Sequence, residues 1–260
     1  MRTANISCGR STGIDRAARR RALLPALGGA LLLGLAPAVA LAEADPAPRV
    51  NADPTFPFSN EIAVFAKANE AGPSVPDAAL FLGSSSIRLW NIAHSFPDSA
   101  TVNRGFGGAT TRDVLHYYPR LLPRAKPRAI LVYVGENDLA GGASPAEVAR
   151  NVLTLLGRLR ADYPQARIAC LSLKPSPIRW TLWPKMAAVN MTVAARSRVK
   201  KFDYLDVGSA LLAADGLPDA SLFGTDGLHM NARGYARWTI LVDAWLDRPT
   251  LAQAAGDLPS

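Results

Sequence analysis

The sequence predicts an α/β domain: three layers, α/β/α, around a mostly parallel sheet of about five strands. Three observations carry that prediction. Short apolar runs alternate with longer stretches of helical periodicity, the pattern that right-handed strand–helix–strand crossovers require. One of the runs, "AILVYVG" (129–135), is apolar and β-rich without interruption, as a strand buried on both faces must be. Polar and glycine-rich clusters then follow the strand candidates, at the carboxyl ends where open α/β sheets bind ligands.

The elements follow in order. Residues 1–42 read as an export signal. Arg16 to Arg21 form a charged start, "ALLPALGGALLLGLAPAVA" is the apolar stretch, and Ala40-Leu41-Ala42 offers a cleavage site. "RRRALL" fits a twin-arginine signal. The alternative is an uncleaved membrane anchor, which Pro25, Pro37 and the glycines disfavour. Residues 43–57, rich in Pro, Ala and Asp, form a surface tether. The domain is expected over 58–250, with a short tail at 251–260. No internal repeat or natural break divides it.

Strands are expected at "ALFLG" (79–83), "TVNRGF" (101–106), 129–135, "RIACLSL" (167–173) and "FDYLDV" (202–207). The clearest helix starts at Ser144, with Pro145 at its first position and Glu147 placed to close a capping box. Val148, Val152, Leu155, Leu156 and Leu159 line its apolar face, and Pro164 follows its end. Further helices are expected at about 184–199 and 231–246.

Composition excludes several classes. A hydrophobic fraction of 49% argues for a packed globule. The net charge of +8 is concentrated at the N-terminus, where six arginines and one acid precede Glu43. The remainder has no basic stripe, so nucleic acid is not an expected partner. After signal cleavage Cys170 is the one cysteine left, which precludes an internal disulfide; within "RIACLSL" it reads as a small hydrophobe.

The strand ends hold the chemistry. They carry Gly83-Ser84-Ser85-Ser86, then "NRGFGGATT" (103–111) and "GEND" (135–138); after the last strand, separated by a loop, comes "DGLHMNARGY" (226–235). A hydroxyl nucleophile needs a base, the base needs an orienting acid, and a tetrahedral oxyanion needs donors. All these parts are present. On these four blocks, in this order, the chain resembles the SGNH/GDSL hydrolase superfamily from about Ala79 to the last helix. A flavodoxin-like winding and no cofactor are expected, and no metal, since no second His/Cys/Asp cluster stands at usable spacing beside Asp226 and His229. The resemblance implies Ser85 as nucleophile, His229 as base and Asp226 as orienting acid. The oxyanion donors would be the backbone N–H groups of Ser85 and Gly108 and the side chain of Asn137. Ser84 stands where the family usually has Asp, and Ala109 where many relatives do; altered loop hydrogen bonding is expected from both.

Other readings stand beside these. His94 is expected on a surface loop and His116 in an amphipathic segment, neither in catalysis. Ser84 and Ser86 read as turn and helix-start residues, with Ser86 capping the next helix. Trp180 and Trp183 form either a substrate wall or a packed lid. The expected activity is hydrolysis of carboxylic esters, with short acyl or O-acetyl groups favoured. Acylated sugars and lysolipids are the candidate substrates. A lysophospholipase-type acyl hydrolase or a non-catalytic envelope or carbohydrate-binding module are the alternatives. The location would be periplasmic or secreted, and membrane contact would come only through an uncleaved N-terminal segment.

Overall fold

All five expected strands form, the first over its full run and the other four shorter than theirs. In the computed structural model, which describes residues 57–71 and 75–248, these are β1 (Ala79–Gly83), β2 (Thr101–Gly105), β3 (Ala129–Tyr133), β4 (Arg167–Leu171) and β5 (Asp203–Leu205). All four pairings are parallel, and the order is β2-β1-β3-β4-β5. Every residue of β1 and β3 is buried, so the centre of the sheet is covered on both faces. The edge strand β5 is only three residues long and partly exposed, a short edge of the kind that discourages pairing with another chain.

The helices are α1 (Ser59–Ala71), α2 (Ser85–Arg88), α3 (Ile92–Ser95), α4 (Thr111–Leu121), α5 (Glu136–Ala140), α6 (Pro145–Asp162), α7 (Trp183–Ala194), α8 (Ser197–Lys200) and α9 (Ala232–Leu246). α6 starts as its sequence dictates. Ser144 Oγ accepts from the Glu147 N–H at 3.2 Å, and the expected apolar stripe is buried. The reciprocal capping box forms instead at α4, between Thr110 and Asp113. The single helix expected over 184–199 is two. α7 buries Met186, Val189 and Val193, whereas α8 buries nothing; the helix breaks where its apolar stripe ends.

One face carries α1, α4, α6 and α7, each packed on the next. Facing α9, an aromatic cluster fills the space. The Trp238 ring lies 5.0 Å from Tyr133 and 5.7 Å from Trp90, which meets Phe81 at 5.5 Å. Trp238 is fully buried and its indole N–H donates to the Val207 carbonyl at 3.1 Å; truncating such a ring costs about 3–5 kcal/mol. This cluster anchors α9, and with it the loop just before it that carries His229.

Cys170 is a buried free thiol, and burial pushes its pKa up to about 12. His94 lies on the one-turn helix α3 rather than in a loop, because the Asn91 side chain caps that turn. The expected signal (1–42), nearly all of the tether (43–57) and the tail (251–260) lie outside the described residues. No helix among the described residues is long and apolar enough to cross a membrane.

Candidate active site

Gly83 ends β1 at φ +154°, and a Cβ there would stand 1.9 Å from the Tyr133 carbonyl oxygen. Only glycine lets the chain turn this close to β3. Ser84 N–H then donates to that same carbonyl at 3.0 Å, and α2 begins at once. Ser84 is therefore the N-cap residue and Ser85 the first helical one. This corrects the expected cap: Ser86 sits inside the turn, buried, with its carbonyl accepting from Tyr235 Oη at 3.0 Å. The end of β2 holds the turn from the other side. Asn103 Nδ2 donates to Ile87 O at 2.8 Å, and a Cβ on Gly105 would stand 2.3 Å from Arg88 N.

Of the three serines, Ser85 alone is only partly buried. Its Oγ lies 2.9 Å from His229 Nε2, and His229 Nδ1 lies 2.6 Å from Asp226 Oδ2. The other Asp226 oxygen accepts the backbone N–H groups of Leu228 and His229 at 2.9 and 3.0 Å. These bonds, led by the one from Leu228, hold the carboxyl at a pKa of about 2. An ionised carboxylate can only accept, so Nδ1 carries the imidazole proton and Nε2 is left to accept from the serine. The arrangement can generate an alkoxide-like nucleophile.

The next two blocks are stitched together beside it. The buried Asp138 carboxylate accepts from Thr111 N and Oγ1, at 2.9 and 2.5 Å. Burial raises its pKa, against the pull of those bonds. Asn137 Nδ2 donates to the Ala109 carbonyl at 3.0 Å, and its Oδ1 accepts from Arg179 Nη1 at 3.1 Å. Gly108, exposed at φ +74°, forms the turn between them. Among the described residues, the N–H groups of Ser85 and Gly108 donate to no protein acceptor.

Three charged residues escaped the sequence reading. Glu136 and Lys174 are buried with side chains 4% and 1% exposed, 3.1 Å apart. Arg179 meets the other Glu136 oxygen at 3.1 Å, and Tyr133 Oη donates to the carboxylate at 2.6 Å. Lys174 Nζ also donates to the Leu228 carbonyl at 2.9 Å. Burial opposes ionisation of Glu136, but Lys174, Tyr133 and Arg179 outweigh it and hold its pKa below the ordinary value. A signal existed: in "GEND" and "LSLK", a charge directly follows a run buried in the sheet, and such a charge demands a partner.

Trp180 and Trp183 stack with ring centroids 5.9 Å apart, and Trp183 also packs on the core. His116 lies in α4 against the Tyr117 ring. Among the described residues no group of three or more His, Cys, Asp or Glu side chains could hold a metal ion. Two cavities lie near these blocks, the first lined by Asn137 and the second by Met230, the chain neighbour of His229, with no site residue in its own lining. One of about 540 Å³ is polar, lined by Arg112, Asp113, Asn137 and Asp138. The other, of about 680 Å³, is lined by Leu89, Met230, Tyr235 and Ile240.

The model of the GDSL-like Lipase/Acylhydrolase family matches residues 87–237, more than half of the 260-residue chain. The chain belongs to this family. The match spans "GEND" and "DGLH" and begins two residues after Ser85, so the place of that serine rests on the geometry above. Solved structures share the family fold at low identity. A protein from Streptococcus pneumonia is 21% identical with a TM-score of 0.66, over 71% of this chain and 90% of its own. A GDSL-like lipase from Bacteroides thetaiotaomicron is 18% identical with a TM-score of 0.62, over 73% and 98%. The psychrotrophic esterase EstA from Pseudoalteromonas sp., in a structure inhibited by monoethylphosphonate, is 18% identical with a TM-score of 0.51, over 66% and 100%. No curated protein sequence matches the chain.

Proposed function

We propose that this family member is an exported serine esterase that hydrolyses carboxylic esters through an acyl-enzyme. One observation carries the reading: the unbroken 2.9 and 2.6 Å contacts from Ser85 through His229 to Asp226, in a fold of acylhydrolases. Ser85 Oγ attacks the ester carbonyl while His229 Nε2 takes its proton. Asp226 stabilises the imidazolium. The oxyanion is met by the N–H groups of Ser85 and Gly108 and by Asn137 Nδ2, each such donor contributing roughly a hundred- to thousand-fold to kcat. The C–O bond to the alcohol then breaks and His229 returns the proton to it. Water, activated by the same imidazole, releases the acid and restores Ser85.

Short acyl and O-acetyl esters of polar alcohols, such as acylated sugars, are the favoured substrates. The polar cavity at Asn137 and the open position of Asp226, half exposed, support them. A second reading, lysolipid hydrolysis, is favoured by the cavity lined with Leu89, Met230 and Ile240. An acyl-length series of p-nitrophenyl esters separates the two: kcat/KM falling beyond butyrate supports the first, and rising supports the second.

Labelling with a fluorophosphonate, followed by fragment-level mass spectrometry of the tryptic peptide Ala68–Arg88, tests the mechanism. The adduct is expected on Ser85. An adduct on Ser84 or Ser86 would overturn the assignment, and no adduct would count against the hydrolase. Sequencing the mature N-terminus of the secreted chain tests export, with cleavage expected after Ala42.

A further inference from the structure

The segment from Lys174 to Arg179, directly after β4, touches both halves of the site. Ile178 N–H donates to the Gly227 carbonyl at 3.1 Å, and Lys174 Nζ to Leu228 O at 2.9 Å, so the loop before His229 rests on it. From its far end Arg179 Nη1 reaches both Glu136 Oε1 and Asn137 Oδ1, each at 3.1 Å. Glu136 is buried and bonded to Lys174 and Tyr133 as well, so the guanidinium is held by a carboxylate that cannot swing away.

The consequence concerns the Asn137 amide, which has an accepting end and a donating end. A guanidinium offers only donors, and the Ala109 carbonyl only accepts. With Arg179 on one side and Ala109 on the other, one orientation satisfies both partners. The flipped amide would set N–H against N–H and oxygen against oxygen. In the permitted orientation one Nδ2 proton bonds Ala109 and the second remains for a ligand.

We propose that Arg179, anchored by Glu136, is a positioning residue that locks Asn137 with its amide N–H presented to the oxyanion. The proposal rests on the esterase reading above. Because negative charge develops on the carbonyl oxygen only in the transition state, loss of the lock should lower kcat and spare KM.

The experiment is steady-state hydrolysis of p-nitrophenyl acetate by the wild type, Ser85→Ala, Asn137→Ala, Arg179→Met, Arg179→Lys and the Asn137→Ala/Arg179→Met double variant, with folding followed by circular dichroism. Arg179→Met should lower kcat about tenfold or more, within the roughly hundred- to thousand-fold loss expected of Asn137→Ala, at unchanged KM. Arg179→Lys should recover part of that loss, since a point charge replaces the fork. The double variant should match Asn137→Ala. A wild-type kcat for Arg179→Met, a loss carried by KM, or an undiminished further loss in the Asn137→Ala background would each overturn the proposal. Should Arg179→Met not fold, Arg179→Lys takes its place in the same cycle, with a kcat loss expected only where Asn137 is present. Full activity in Asn137→Ala with none in Ser85→Ala would reject the lock and keep the esterase; activity in Ser85→Ala would reject both.

Discussion

Two pairs of an acid and a base lie within one loop of each other and are built in opposite ways. Asp226 and His229 are three residues apart in sequence, 2.6 Å apart in space, with side chains 50% and 29% exposed. Glu136 and Lys174 are 38 residues apart, at 3.1 Å, and sealed from water. An exposed pair contributes little to stability, but it can exchange protons with solvent and substrate. A buried pair cannot change its charge cheaply, and removing one partner strands the other. In the mechanism proposed above, the exposed pair therefore takes the proton-transfer task and the sealed one the framework task.

The comparison can be broken at either end. The largest effect is expected from Ser85→Ala, which removes the hydroxyl that the exposed pair activates. Hydrolysis should fall roughly ten-thousand-fold or more, while urea denaturation should give an unfolding free energy within about 0.5 kcal/mol of wild type. Asp226→Asn should follow with a kcat loss of roughly a thousand- to ten-thousand-fold, because the amide favours the wrong imidazole tautomer; its stability change should stay within about 1 kcal/mol. Glu136→Ala reverses the balance. It leaves the buried Lys174 without its counter-charge and should cost about 3–5 kcal/mol in the same urea titration. A cost below that of Asp226→Asn would erase the distinction between the two pairs.

The smallest effect is in pH. The folded pKa of Asp226, about 2, lies below its ordinary 3.8. Its contribution to stability is therefore complete above about pH 4 and is lost as pH falls through about 2. Urea titrations of wild type and Asp226→Asn should converge over that interval. A gap that stays constant from pH 4 to pH 2 would remove Asp226 from the acid response.

Much of the candidate site was legible because two of its blocks follow strands directly, and the third, with Asp226 and His229, follows the last strand after a loop. Ser85, Asn137, Asp226 and His229 each sit in a short block where an apolar run or a turn gives way to polar residues, and sheet geometry gathers those ends. The misplaced cap at Ser86 was a matter of one residue. Its cause, the Ser84 N–H bonded to Tyr133 O, lies 49 positions along the chain. Glu136, Lys174 and Arg179 were missed for a related reason: each is an unremarkable charge in sequence, and only their convergence marks them.

The sequence by itself determined the strand positions, the sheet class, the family and the order of the chemical blocks. These depend on periodicity and on local turn chemistry, which are written in neighbouring residues. Tertiary structure alone decided which serine caps α2, which way the Asn137 amide is held, and which charges are buried together. Those are contacts between groups that are dozens of residues apart, and their energy exists only after the chain has closed around them.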